Sequence, residues 1–437
     1  MTVTRAAIKN WDLFCSHGAL SPCGSDLSDF LLHAGGAAWP QRLVSLSAAV
    51  IVPVFVANCC AAPFPYVVVG TGQTACYDNY HEIAPPKPGQ PFYGQDAQHP
   101  GPAFRYHDNG DGTVTDLDTG LMWVQARGAK VTWDAAVAAA KSCRVGGHTD
   151  WRMPTIKELY SLINFTGQCH GPETPSKPFI DGKVFQFVYG ETAKGERPID
   201  CQDWSATEYI GTTMNGNPTV FGVNFADGRI KGYPKIRRSP GGSTPHKLYV
   251  RYVRGNPNYG QNDFHDNGDG TITDRATGLL WQKTDRGKGM NWEQALAYAS
   301  NLKLANHADW RLPNAKELQS IVDYSRSPAI DAVFQITKLA DGEYPFFWTS
   351  TTHLDGPPDR MGNAAVYICF GRALGWMQFP PGSGEYRLLD VHGAGAQRSD
   401  PKAGNPADFP HGRGPQGDVI RINNFVRCVR TANYPDR

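Results

Sequence analysis

Neither sign of charge dominates this chain: 42 Lys and Arg against 41 Asp and Glu leave a net +1. A dedicated nucleic-acid binder carries a basic excess, so nucleic acid is not expected as a partner. The ten cysteines include no C-x-x-C pair, which argues against a zinc site. No Ser-His-Asp elbow, phosphate-binding loop or metalloprotease signature is present, and no catalytic residue is singled out. The apolar run Leu43–Ala57 falls short of the ~20 residues of a membrane span, and Pro53 interrupts it. What the chain does have is Gly (47), Pro (33) and 11% aromatic residues, which suits loop-rich domains rather than helical bundles.

A long internal repeat organises the sequence. Asp150-Trp151-Arg152-Met153-Pro154-Thr155-Ile156-Lys157-Glu158-Leu159 returns as Asp309-Trp310-Arg311-Leu312-Pro313-Asn314-Ala315-Lys316-Glu317-Leu318. Before each copy come an Asp-Asn-Gly-Asp-Gly turn (108–112, 266–270), Thr-Gly-Leu-x-Trp (119–123, 277–281) and a further Trp (Trp133, Trp292). After it come Trp204-Ser205-Ala206-Thr207 and Trp348-Thr349-Ser350-Thr351, then the closing segments Val250–Arg254 and Val426–Arg430. The offset is 158 at Trp123/Trp281 and 159 at Trp151/Trp310, then 144 at Trp204/Trp348 and 176 at Tyr252/Cys428. Insertions therefore fall in loops of the back half. A unit of this length is a domain, not a solenoid repeat. The expected division is an extension 1–62, a Pro/Gly-rich preface 63–103, a first domain 104–254, a linker 255–263, a second domain 264–430 and a tail 431–437.

Arg42, the apolar run and the small residues from Cys59 to Ala62 follow the order of a secretory signal. About forty residues precede it, so the expected start of translation lies later than Met1. Cys59 and Cys60 offer a lipid-anchor alternative, although Asn58 fits such a site poorly. Export implies an oxidising compartment, where disulfides form. In the preface, Tyr66–Val69 reads as a short strand, and Phe92–Asp96 as a segment packing on the first domain. Cys143, Cys169 and Cys201 are candidate partners for Cys76.

Within each unit, Asn-Gly and Asp-Gly predict a hairpin turn. Calcium at this turn is the weaker reading, because His107 would occupy the first ligand position and Ala276 the last. A helix from Trp133 and another from Thr155, with Glu158 as capping-box partner, have counterparts starting at Asn291 and Asn314. Trp151 and Trp310 are expected in the core. Arg152 and Arg311 are expected in structural ion pairs, with Glu158 or Asp150 and with Glu317 or Asp309. The back half reads as sheet (219–225, 364–370). In the closing strands, alternation puts Val250 with Tyr252, and Val426 with Cys428, on the inner face. Cys369 and Cys428 then share the second sheet and are expected to pair. Cys169 and Cys201 bracket the variable loop of unit one and form the next candidate pair.

The ordered series of motifs resembles the Lcl C-terminal domain family over about residues 104–254 and 264–430. The Trp-Arg-x-Pro-x-x-x-Glu-Leu stretch also resembles formylglycine-generating-enzyme-like domains. The resemblance implies an α+β class: two tandem C-type lectin-like domains, each with two helices and a small, twisted, mostly antiparallel sheet with long loops. It implies a secreted, periplasmic or cell-surface binding protein with extracellular glycans or surface proteins as partners. Membrane contact would come only through the export signal or a lipid anchor. Unit one departs from the pattern at Tyr252, where the closing Cys is expected. The back-half loops are the expected ligand surface: Arg229, Lys231, Lys235, Arg237, Arg238 and Lys247 for a polyanion, and Trp376 and Phe379 for stacking on sugar rings. The competing readings are a formylglycine-type enzyme, for which no matching cysteine pair is seen, and a structural surface component. No cofactor is expected.

Overall fold

The structure, a computed structural model, describes residues 64–239 and 242–432. The signal-like run and Cys15, Cys23, Cys59 and Cys60 lie outside the described residues. Each repeat opens with a meander. Tyr106–Asp108, Thr113–Asp116 and Leu121–Val124 form a sheet that Val253–Gly255 closes at the chain's return. Phe264–Asp266, Thr271–Asp274, Leu279–Gln282 and Val429–Thr431 repeat it. The first turn needs Gly110 and Gly112, whose φ values are +75° and +85°. Asp111 Oδ1 accepts from the Thr113 amide (3.0 Å) and hydroxyl (2.6 Å), and Asp269 does the same with Thr271. These oxygens, which a calcium reading would use, serve the turn itself.

Four short helices follow: α1 (Trp133–Ala140), α2 (Ile156–Ser161), α3 (Trp292–Asn301) and α4 (Ala315–Ser320). Thr155 with Glu158 and Asn314 with Glu317 form reciprocal capping boxes on α2 and α4. The same two glutamates grip the repeat's arginines. Arg152 Nη1 and Nη2 donate to Glu158 at 2.7 and 2.5 Å, and Arg311 to Glu317 at 2.6 and 2.5 Å. Trp151 and Trp310 are buried beside them. The backbone of Arg152 pairs with Val253, and that of Arg311 with Val429. Each corner thus ties a helix start to the closing strand.

The closing strands bury both faces. Val250, Val426 and Cys428 are buried, yet so are Arg251 and Arg427, each 0% exposed. Arg251 donates to the carbonyls of Val124 (2.9 Å), Gln125 and Gln186 (2.8 Å). Arg427 donates to those of Gln282 (2.7 Å), Lys283 (2.5 Å) and Gln335 (2.7 Å). Burial lowers both guanidinium pKa values to about 10. Backbone carbonyls take the place of a carboxylate, so alternation alone misassigns this face. Tyr252 supplies its own bond, from its hydroxyl to the Ala136 carbonyl on α1 (2.9 Å).

The α+β expectation of two tandem lectin-like domains is overturned. The described residues form six sheets with only four helices of six to ten residues, so the chain is mostly β. The largest sheet belongs to both repeats. Its order is Phe346–His353, Ala364–Cys369, Gln397–Pro401, Arg229–Pro234, Asn217–Asn224 and Asp203–Thr213. Three strands of each repeat meet at the antiparallel pair Gln397–Ile230. The inner edges are buried by pairing with each other, which removes two exposed edges at once. The described residues accordingly lie in one compact unit. The seam has a pseudo-two-fold relation. Lys157 Nζ donates to the Ser320 carbonyl (2.6 Å), and Lys316 Nζ to the Ser161 carbonyl (2.7 Å). Each lysine serves the last carbonyl of the other repeat's helix, as residues i and j exchange roles in an isologous dimer.

The expected disulfides are also overturned: Cys369, Cys428, Cys169, Cys201, Cys76 and Cys143 are all free thiols. Cys369 lies in the shared sheet, whereas the Cys428 backbone bonds Gln282 of the second meander; two sheets, not one, hold them. The Cys201 thiol instead lies against the Pro198 carbonyl (3.4 Å) and that of Cys169 against the Gly171 carbonyl (3.9 Å).

Tyr66–Val69 is not a strand. It runs without a ladder, held by single bonds such as Tyr66 N to Ala276 O (3.4 Å) and Gly70 N to Pro102 O (2.8 Å). The Phe92–Asp96 segment packs on the second repeat, not the first. Phe92 meets Trp292, and the buried Asp96 accepts from the Thr351 hydroxyl at 2.5 Å. Burial pushes the Asp96 carboxyl up to about 6. The folded chain holds that proton more tightly than the unfolded one. This contribution to stability is therefore complete below about pH 4 and lost as pH rises through about 6. D96N removes the titration. Urea denaturation across this range should show the variant gaining on the wild type from pH 4 to 6 and level above, by about 3 kcal/mol at most. A constant difference would sink the assignment.

Candidate functional site

The seam strands carry the site. In Arg229–Pro234 the period of two sends Ile230 into the core (0% exposed) and leaves Arg229 and Lys231 on the other face. The preceding turn requires glycine at 228: φ is +64°, and a Cβ there would lie 2.5 Å from the Phe179 ring. Across the seam, Gln397 is buried and Arg398 shares the face of Arg229. The 413–418 loop forms the facing wall. Its ends pair through Arg413 N to Asp418 O (2.9 Å) and Asp418 N to Arg413 O (2.8 Å), and Trp376 N holds it by the Gly417 carbonyl (2.7 Å).

The result is a cleft of two adjoining lobes, of about 280 and 320 Å³. Six cations line it: Arg197, Arg229, Lys231 and Arg237 from the first repeat, Arg398 and Arg413 from the second. Four carboxylates oppose them: Asp200, Asp227, Asp355 and Asp418. Positive charge is in excess inside the cleft although the whole chain is nearly neutral.

Several cations are already engaged. Arg229 pairs with Asp355 of the other repeat and, at 3.4 Å, with Asp227. Arg398 pairs with Asp418, which also accepts from His392 Nε2 (2.8 Å). Arg197 grips Asp200. Burial opposes ionisation of Asp355 and Asp418, but Arg229 and Arg398 respectively hold them well below the usual carboxylate range. Burial lowers His392 to about 4 and His353 to about 3, so both imidazoles are neutral at pH 7. Donors remain over: Arg229 Nε and Arg398 Nη1 are buried without a partner among the described residues. Arg413 is exposed at the rim, and its guanidinium makes no ion pair among the described residues. Burial pushes the Cys169 and Cys201 thiols up to about 12, the opposite of what a nucleophile needs. The cleft gathers six cations against four carboxylates, with Arg413 open at its rim and no activated thiol among the described residues, which is chemistry for holding an anion.

Of the expected ligand residues, Arg229, Lys231 and Arg237 line the cleft. The others do not. Lys235 lies over the Trp133 ring and pairs with Glu208 at 2.8 Å. Arg238 and Lys247 are exposed elsewhere. Trp376 and Phe379 belong to or adjoin the hairpin strand Leu374–Gln378, and Arg387 stacks on Phe379. Sequence reading missed Arg197, Arg398 and Arg413, which lie in stretches of varying length between the repeat landmarks. Arg398-Ser399-Asp400 alternates as a strand, and that was the available signal.

Removing Arg229 by R229M leaves Asp355 and Asp227 without their guanidinium. Breaking one partner of a largely buried pair costs about 3–5 kcal/mol, and denaturant unfolding should register most of it. An unchanged midpoint would mean that the pair does not lock the repeats together.

Two segments of the chain, residues 112–254 and 270–387, match the family model described as the Lcl C-terminal domain. The chain matches none of the curated proteins and none of the solved structures. The second match ends before Gln397–Pro401, so the strand that completes the cleft lies beyond it.

Proposed function

This chain belongs to the Lcl C-terminal domain family, and from that premise we propose that it is an exported binding protein whose seam cleft takes a polyanionic, sulfated glycan. One observation carries the reading: six cations from both repeats converge on one cleft against four carboxylates, with Arg413 exposed at its rim. Sulfate and carboxylate groups on a sugar chain match that donor set, and a concave site with a charge excess concentrates the field on an approaching anion. The near-zero net charge of the whole chain confines the attraction to the cleft instead of spreading it over the surface. Export rests on the order Arg42, apolar run and small residues up to Ala62. A formylglycine-type enzyme has less support, because Cys169 and Cys201 are buried free thiols and burial raises their pKa.

Heparin, used as a sulfated-glycan probe, should bind the full chain with an affinity that falls as salt rises. R413E, at the rim, should weaken binding by about tenfold, which is 1.4 kcal/mol. R238E, outside the cleft, should change it by less than about twofold. Equal losses in the two variants, or no retention at low salt, would overturn the assignment.

A further inference from the structure

The two repeats present equivalent grooves beside their Trp-Arg-Pro corners, and only one is filled. In the second repeat the preface fills it. Asp96 Oδ2 accepts from the Thr351 hydroxyl at 2.5 Å, within electrostatic reach of Arg311 and Glu317. Beside it the Gln73 side chain spans the backbone of Thr352, donating to its carbonyl (2.6 Å) and accepting from its amide (3.1 Å). All eight residues of the outer strand Phe346–His353, one edge of the shared sheet, are buried: the preface covers Thr351 and Thr352, and the Phe425 backbone pairs with the strand's start.

In the first repeat the same positions stand open. Arg152, Thr155, Glu158, Ala206 and Thr207 correspond to Arg311, Asn314, Glu317, Ser350 and Thr351, and they line a cleft of about 660 Å³. The local scaffold is the same. The Thr207 hydroxyl accepts from Ile156 N at 3.0 Å, as Thr351 does from Ala315 N at 2.9 Å. What differs is the occupant. Arg152 is 38% exposed where Arg311 is 12%, and Ala206 is exposed where Ser350 is buried. The Thr351 hydroxyl donates its hydrogen bond to Asp96, whereas the Thr207 hydroxyl has no acceptor among the described residues. The outer strand here, Asp203–Thr213, forms the opposite edge of the shared sheet, and Ile210 on it is 56% exposed.

We infer that this open groove is a docking site for an extended peptide segment that presents a carboxylate to Thr207 beside Arg152, as the chain's own preface presents Asp96 to Thr351 beside Arg311. The occupant's chemistry is set by the filled copy: a carboxylate acceptor for the threonine hydroxyl, and a neighbouring stretch that lies along a sheet edge as in strand-addition recognition. The seam cleft is a separate surface, so this site stands whether or not the glycan reading does.

The probe is a labelled synthetic peptide with the sequence of residues Val69–His99, added to the full chain. It should bind saturably, and A206W, which fills the groove without touching the helix cap, should weaken binding at least tenfold. T207V should weaken it as well. A peptide carrying D96N should bind less tightly, while R413E in the protein should leave peptide binding unchanged. Thermal unfolding of each variant checks that the fold persists. T207V also removes the Ile156 acceptor, so A206W decides if that variant unfolds. No saturation up to millimolar peptide, or saturation that A206W does not affect, would overturn the inference. Affinity retained in A206W would place the peptide in exchange with the preface at the second repeat, and the open groove would then not be a docking site.

Discussion

Two lysines crossing a seam hold this architecture together. Lys157 and Lys316 each reach the terminal carbonyl of the other repeat's helix, and neither has a carboxylate within bonding distance among the described residues. Burial lowers both amines, Lys157 to about 8 and Lys316 well below its usual value. An ammonium in such a place is tolerated because helix-end carbonyls point their negative ends at it, and because Lys316 also lies over the Phe104 ring at 4.3 Å. The exchange is reciprocal, so one helix cannot shift without unpairing the other. The shared sheet, the cleft at its centre and the two corner grooves all take their positions from that relation.

Duplication explains both the symmetry and its useful failures. A two-fold pair of identical units would have two equal grooves and a seam lined by equal residues. Here the two back halves have diverged. The first repeat contributes Arg229, Lys231 and Arg237 to the cleft, and the second contributes Arg398 and the Arg413 loop. The preface touches both copies, with Thr71 bonded to Phe165 of the first, but it fills only the second copy's groove, where Phe92, Asp96 and Gln73 meet Trp292, Thr351 and Thr352. One corner is sealed and its counterpart stays open.

Much of the local framework could be read along the chain. The capping residues Thr155 and Asn314 with their glutamates, the Asn-Gly-Asp-Gly turns and the Trp-Arg corner depend on neighbours within about six positions, and short-range chemistry fixes them. The family membership was legible in the same motifs. The buried Arg251 and Arg427 were not, since alternation assigns an arginine to solvent unless distant carbonyls are known to meet it. The cysteine pairs failed for the same reason: Cys369 and Cys428 look like strand neighbours on paper, and separate sheets hold them. Half of the cleft's cations, Arg229, Lys231 and Arg237, were legible because they cluster in sequence over nine residues on two successive strands. Arg197 and Arg413 come from loops and Arg398 from a strand of the other repeat, positions far apart in the chain and joined only by the seam.

The sequence by itself determined that one unit is folded twice, where each copy turns and caps, and which tryptophan and arginine anchor each corner. These follow from φ preferences and from hydrogen bonds between near neighbours. Tertiary structure alone decided that the copies share one sheet, that the Phe92–Asp96 segment fills the second copy's groove, and that charges from both repeats gather in a single cleft. Pairing of strand edges and burial of surface between distant segments set those outcomes, and such contacts have no fixed spacing along the chain.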